Sequence, residues 1–486
     1  MTRTVPQPLA EAGEGRWSPR LWGLLLVLAG NMLIDALEVS GAVVALPSIG
    51  TDLGLPLTST QWAMTGFAVG FGGLMLFGTR VVALLGRRRV YLVALLGFAA
   101  ASLVSAFAQE PALLIATRLV KGFCAALTAP TGLAIISTAF PQGRPRSRAV
   151  SVYTLFGAGG FTAGLLLSGW LSTYSWRLAF AFPAPVVLLL FAAGLRLIPG
   201  EDGPPGGSPA GARHYGVAGA TAFTGALLAL VYGITALPGH GWTDVRVVGA
   251  LTAALLLLVL FRSLERAAPA PLLPVRLSRS GALVRSALGA ACLNGSYLGL
   301  LFVLTYQTQT VAGWSPPVAA AALLPAAVPP ALTALASGRL IARFGAPRLV
   351  AAGAASAFAG YLLQLRPGWP LDYTGRLLPT LLLVGVGFVL SFAALNVQAT
   401  SELAPADRAA GSGLYQTAVQ LAAVLAVALV AALLAGAGRE SGSAAQLAAC
   451  RPALVLVAAL GGIGLLTGLT GLARSGTADR TAVHRA

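Results

Sequence analysis

Charge is what this sequence has least of. Only 10% of its 486 residues are Asp, Glu, Lys or Arg, against about 25% in a typical soluble chain. Lysine is nearly absent, and the single Lys121 follows valine rather than glycine. That excludes a P-loop, whose lysine must follow a glycine-rich turn to reach phosphate. Three cysteines cannot build a disulfide framework, and Cys124 and Cys292 fall in apolar stretches as small packing residues. The three histidines, His214, His240 and His484, are far apart and have no metal-ligand spacing. Neither a metal nor another cofactor is expected. No paired histidine and acid supplies a catalytic constellation, and no repeated pore segment suggests a channel.

What the chain has in excess is apolar length. Its residues are 57% hydrophobic and its mean hydropathy is +0.81. Apolar runs of bilayer-crossing length recur from Leu21 almost to the C-terminus. The first runs from about Leu21 to Leu46, too long for a secretion signal, and carries two acids. It reads as a permanent membrane helix. The expected fold class is an all-α polytopic membrane protein with fourteen spans. They lie near 21–47, 59–83, 90–108, 112–139, 150–172, 178–198, 216–237 and 246–263, then 283–308, 317–341, 348–365, 376–401, 411–436 and 453–473.

The net charge of +17 could mark a nucleic-acid surface, but the arginines sit in short loops rather than along one groove. With the N-terminus inside, roughly 24 basic residues face the cytoplasm and about 6 the exterior, as the positive-inside rule requires. Nucleic acid is therefore not an expected partner; the bilayer is. An even number of spans returns the C-terminus to the cytoplasm.

Two polar segments divide the chain. Gly200–Arg213 is rich in glycine and proline and reads as a flexible linker, and Glu265–Ser280 is a second connection. The expected organisation is a cytoplasmic tail (1–20), a six-helix bundle (21–198) and a linker (199–215). Two extra spans (216–263), a connection (264–282), a second six-helix bundle (283–473) and a tail (474–486) follow. Repetition supports the division. GTRVVALLGRRR (Gly78–Arg89) follows the second span and GRLIARFGAPR (Gly338–Arg348) the tenth. Duplicated halves are typical of secondary transporters, whose substrate site lies between them.

Several motifs then fall in one order. The first span carries Leu37-Glu38-Val39-Ser40 and ends Val43-Val44-Ala45-Leu46-Pro47. Gly78, Gly86, Arg87 and Arg88 mark a loop motif, with Ala83 and Ala342 where an aspartate often stands. Arg118-Leu119-Val120-Lys121-Gly122 lies in the fourth span. Gly160, Gly164 and Gly169 punctuate the fifth, and Ser175-Trp176-Arg177 precedes the sixth. In order and spacing these resemble the major facilitator superfamily, specifically its fourteen-span drug:proton antiporters. The resemblance implies two six-helix bundles plus two inserted helices. It also implies alternating access, a loop motif that holds one conformation, and an antiporter motif on the fifth helix. Gly160 and Gly164 are equally suited to close helix packing, and the proline that usually follows is Leu165 here.

Four charges deserve separate treatment. Asp35, Glu38, Arg118 and Lys121 are the charged residues well inside predicted spans, and a charge at the bilayer centre normally faces a cavity or a partner. From a 1.5 Å rise per residue, Asp35 and Glu38 lie about 17 and 12 Å below the outer face. Arg118 and Lys121 lie about 9 and 14 Å below it. Each pair is spaced i,i+3, on one helical face. Two carboxylates one turn apart disfavour double ionisation, and two cations oppose that effect. The expectation is a proton site with Glu38 as main carrier, Asp35 as second, and Arg118 tuning it. A static ion-pair cluster that only orients helices is the alternative. Asn31, Trp62, Tyr306 and Asn396 are candidate substrate contacts.

The expected function is export of small organic, drug-like molecules across a bacterial cytoplasmic membrane by proton antiport, the chain acting as a monomer. A dedicated exporter of one metabolite or antibiotic, a transporter without proton coupling, and an uptake symporter are the competing readings.

Overall fold

Fourteen helices among the described residues are long and apolar enough to cross a membrane. In a bilayer, helices are the open-chain way to satisfy every backbone N–H and C=O internally. The structure, a computed structural model, describes residues 17–200, 216–268, 271, 277–365, 368–404, 407–437 and 440–483. The tail before residue 17, most of the 199–215 linker with His214, residues 269, 270 and 272–276 of the 264–282 connection, and His484 lie outside them.

The spans are α1 (Pro19–Leu53), α2 (Leu57–Leu85), α3 (Arg87–Ala106), α4 (Pro111–Ala139), α5 (Arg144–Leu171), α6 (Trp176–Leu197) and α7 (Val217–His240). They continue as α8 (Val245–Ala267), α9 (Gly281–Val311), α10 (Pro316–Thr333), α11 (Ala346–Leu363), α12 (Tyr373–Ser401), α13 (Ala410–Leu434) and α14 (Ser443–Arg474). Starts are set by local chemistry. The Ser18 hydroxyl accepts the Leu21 N–H at 3.3 Å ahead of Pro19, and Ser280 does the same for Leu283. Gly54 closes α1 at φ 62°, a left-handed conformation that glycine adopts without a Cβ penalty.

Several boundaries differ from the sequence reading, and three of them are structurally informative. α1 continues six residues past Pro47, because a membrane helix tolerates an internal proline when neighbouring helices pack around it. α10 stops at Thr333 instead of 341, and a separate short helix, Ser337–Phe344, follows a turn. Pro325, Pro329 and Pro330 remove three backbone donors from α10 and weaken its last turns. α14 begins at Ser443, ten residues early, through a short helix that abuts Arg451.

The two sets of six helices pack alike. α1 packs on α5, α2 and α3 on α4, and α3 on α6; α9 packs on α13, α10 and α11 on α12, and α11 on α14. Adding eight to each helix number converts the first set of contacts into the second. The repeated loop segments share a backbone as well. Gly86 (φ 89°, ψ 145°) and Gly345 (φ 80°, ψ 146°) each end one helix and start the next. The sets meet along two seams, α2 with α13 and α5 with α10. α7 and α8 form a hairpin; α7 lies against α2 and α13, while α8 is largely exposed.

Candidate functional site

The four intramembrane charges converge where α1 faces α4. Arg118 lies on α4 opposite Glu38 of α1, and both are buried, with Arg118 at 0% exposure. Close helix packing brings them within reach. A Cβ on Gly66 of α2 would lie 3.3 Å from the Arg118 Cβ, and one on Gly122 of α4 would lie 2.8 Å from the Phe71 nitrogen. Small residues at such crossings let backbones approach. Arg118 therefore reaches both neighbours: its Nε donates to the Ala63 carbonyl of α2, and its Nη2 donates to the Glu38 carbonyl at 3.1 Å.

Glu38 is gripped by both cations. Arg118 Nη1 pairs with Glu38 Oε2, and Lys121 Nζ with Glu38 Oε1. Lys121 also donates to the Phe180 carbonyl of α6 at 3.1 Å. Aromatic faces surround the cations. The Arg118 guanidinium carbon is 4.9 Å from the Phe67 ring centroid and 5.2 Å from that of Phe180, and the Lys121 amine is 5.3 Å from Phe98. Such faces stabilise a desolvated cation.

Asp35 has different company. It is 4% exposed, and its Oδ2 accepts from Asn31 Nδ2 at 3.0 Å and from the Thr128 hydroxyl at 3.4 Å. Its Oδ1 has no hydrogen-bond partner, and no ion pair reaches it among the described residues. Asn31, a candidate substrate contact, is thus occupied by Asp35. Thr128 was not singled out from sequence, although it stands seven residues after Lys121 and so on the same face of α4.

The other candidates scatter. Trp62 is half-buried and packs beside Val69, Leu227 and Val231 at the α7 seam. Tyr306 is buried where α9 widens into a π-helical turn, Tyr306–Val311. Asn396 is exposed near the end of α12. In the loop motif, Gly78 lets α2 pass α4, since a Cβ there would lie 2.8 Å from the Ala126 carbonyl. Arg87 opens α3, and Arg88 Nη2 donates to the Leu195 carbonyl of α6 at 2.7 Å. Ala83, at the aspartate position, is exposed.

The three motif glycines of α5, Gly160, Gly164 and Gly169, stand at close helix contacts. A Cβ on Gly160 would lie 2.8 Å from the Leu33 Cα, and one on Gly164 2.7 Å from the Leu37 carbonyl, both on α1. Gly169 instead faces α10, where a Cβ would meet Ala320 at 2.6 Å. Ser168, between them, donates to the Gly41 carbonyl at 2.7 Å. Trp176 and Arg177 hold the C-terminal end of α1: both donate to Asp52 Oδ2, at 3.0 and 2.7 Å.

A family model described as Major Facilitator Superfamily matches residues 28–427. The chain belongs to the major facilitator superfamily. Within the superfamily it is 35% identical to the puromycin resistance protein pur8 of Streptomyces alboniger over 88% of this chain and 84% of that one. It is 32% identical to the cephamycin export protein CmcT of Amycolatopsis lactamdurans, covering 87% of each. The tetracenomycin C resistance and export protein of Streptomyces glaucescens is 28% identical over 89% of this chain and 80% of its own length. Among solved structures, a peptide transporter POT bound to sulfate superposes with a TM-score of 0.66 over 93% of this chain and 94% of its own, at 16% identity. That likeness is one of fold. The superfamily consists of transporters, so the buried charges belong to a transport protein and not to an enzyme.

Proposed function

We propose that this protein exports antibiotic-like small organic molecules from a bacterial cell by proton antiport through alternating access, with Asp35 as the main proton carrier. The observation that carries the coupling is the contrast between two carboxyls one turn apart. Glu38 already faces two cations, so protonating it would strip both of their counter-charge in a buried site. Asp35 has only neutral partners and one unsatisfied oxygen, so gaining a proton supplies a donor where one is lacking and removes an unpaired buried charge. This reverses the ranking expected from sequence, where Glu38 came first. Arg118 and Lys121 then serve to keep Glu38 ionised and to tie α1 to α4.

The relatives support the substrate class. Two named for single antibiotics, puromycin and cephamycin, align over most of this chain, which favours a dedicated substrate over a broad range. The bilayer is proposed to be the bacterial cytoplasmic membrane, with both termini inside and a single chain as the working unit. The domain scheme stands on the same footing: two six-helix bundles, with α7–α8 inserted between them.

The experiment is uptake of puromycin into inside-out vesicles, with and without an imposed proton gradient. Gradient-driven uptake that disappears in Asp35→Asn at equal protein level supports the reading. Uptake that survives in Asp35→Asn assigns the proton elsewhere, and a panel of antibiotics all refused by the wild-type chain would remove the export reading.

A further inference from the structure

One arginine of the second six-helix set has no acid to answer it. Arg285 is the fifth residue of α9, about 6 Å along the helix from its start. Its Nε is buried without a hydrogen-bond partner, and no ion pair reaches the side chain among the described residues. A second arginine stands beside it. A Cβ on Gly281 would lie 2.9 Å from Arg285 Nη1 and 3.9 Å from Nη1 of Arg474, at the end of α14. The two cations concentrate positive potential at one corner of the set.

Arg285 borders a recess. Pro347 at the start of α11, Gln398 near the end of α12, and Thr467 and Gly471 of α14 line it as well, and no acidic side chain does. Its space is about 250 Å³, and the innermost part has room for roughly one water-sized group. Gly471 leaves the recess unfilled, since a Cβ there would meet only Gln398 Nε2, at 3.7 Å. The matching corner of the first set is closed. Gly23 is likewise the fifth residue of α1, and a Cβ on it would lie 3.0 Å from Leu197 Cδ1 of α6. Beside Arg285, α9 exposes Val284 and Leu288, so the recess adjoins an apolar surface near the helix end, where lipid headgroups begin.

We propose that Arg285, with Arg474 and the Gln398 amide, binds a phosphate group at the loop end of α9, α11, α12 and α14. A guanidinium presents its donors in a planar fork that matches phosphate oxygens. A bound anion supplies the acceptor that the buried Nε lacks. One phosphate oxygen enters the recess, and the rest of the group stays at its mouth. The phosphate is carried by an anionic lipid or is a free ion, and the two sources are separable by experiment. Bound there, it ties together the ends of four helices of one set. The site is distinct from the Asp35 and Glu38 charges and does not depend on which molecule the protein carries.

The test uses the full chain, purified in detergent and stripped of lipid. Phosphatidylglycerol, diacylglycerol with the same chains, or inorganic phosphate is added in turn. Adducts are read by native mass spectrometry, and melting temperatures are recorded alongside. Phosphatidylglycerol is expected to bind and to raise the melting temperature, and diacylglycerol, which lacks the phosphate, to do neither. Arg285→Gln should weaken that binding about ten- to a hundredfold, the loss of a hydrogen bond to a charged group. Arg196→Gln, at an exposed arginine of α6, should leave it unchanged. Gly471→Leu keeps both arginines but fills the recess, so it should abolish binding even if Arg285→Gln does not fold. A lipid adduct that millimolar phosphate cannot displace makes the lipid the ligand. Inorganic phosphate that displaces it, or that binds where the lipid does not, makes the free ion the ligand. Phosphatidylglycerol bound no better than diacylglycerol, with no phosphate bound either, overturns the site. So does binding that survives unchanged in both Arg285→Gln and Gly471→Leu.

Discussion

Asp35 and Glu38 stand one turn apart on α1, yet Glu38 takes both Arg118 and Lys121 as ion-pair partners and Asp35 takes none. Neutralising each acid should therefore fail in a different way. Glu38→Gln leaves two buried cations without a counter-charge, at a cost of about 3–5 kcal/mol, and should lower both accumulation and the melting temperature in detergent. Asp35→Asn keeps the shape and the approach of Thr128, so the protein should accumulate normally and lose only gradient-driven transport. Equal melting temperatures for the two variants would show that the ion pairs do not hold the helices.

Much of this arrangement could be read from the sequence, and its limit has a physical cause. Matching depths on two helices required only the rise per residue, so a meeting of α1 and α4 charges was legible. Which acid faces the cations was not. Asp35 and Glu38 differ in depth by about 4.5 Å, less than the error in a predicted span boundary such as that of α1, which runs to Leu53 rather than Pro47. The glycine at the end of each repeated loop was legible because few other residues adopt that backbone. The break in α10 was not anticipated, although three prolines signalled it, because hydropathy continues across the turn. Phe67, Phe98 and Phe180 left no signal at all, since an aromatic beside a buried cation reads in sequence like any core aromatic.

The two cations should not be equal. Arg118 touches Glu38 twice and Ala63 once, joining α1, α2 and α4, whereas Lys121 joins Glu38 to the α6 backbone. Lys121→Gln retains a donor for Glu38 and should cost about 1.5–3 kcal/mol, the worth of a hydrogen bond to a charged group. Arg118→Gln should cost more and lower the yield of folded protein further. Thermal melts of the purified variants decide the order, and a Lys121→Gln protein less stable than Arg118→Gln contradicts it.

The α5 glycines provide a control within one helix. Gly164→Ala drives a methyl against the Leu37 carbonyl of α1, where overpacking costs about 1–3 kcal/mol. Gly159→Ala enters open space and should leave the melting temperature unchanged or slightly raised. If both variants melt alike, the close approach of α1 and α5 does not depend on the small residues, and the motif on α5 needs an explanation other than packing.

The seam between α5 and α10 offers a direct test of alternating access. The Thr162 hydroxyl donates to the Ala327 carbonyl in the present arrangement. If transport requires this contact to separate, Thr162→Cys combined with Ala327→Cys should be cross-linked readily by a short thiol-reactive bridge. The bridged protein should lose nearly all puromycin uptake in inside-out vesicles. A cleavable bridge makes the result reversible, so that adding reductant restores uptake to the level of the unbridged double variant. The native Cys124, Cys292 and Cys450 are buried, so each single variant under the same treatment reports any reaction elsewhere. Transport that continues with α5 and α10 bridged would mean that the two six-helix sets do not part along this seam. The moving contact would then have to be sought at α2 and α13, beneath α7.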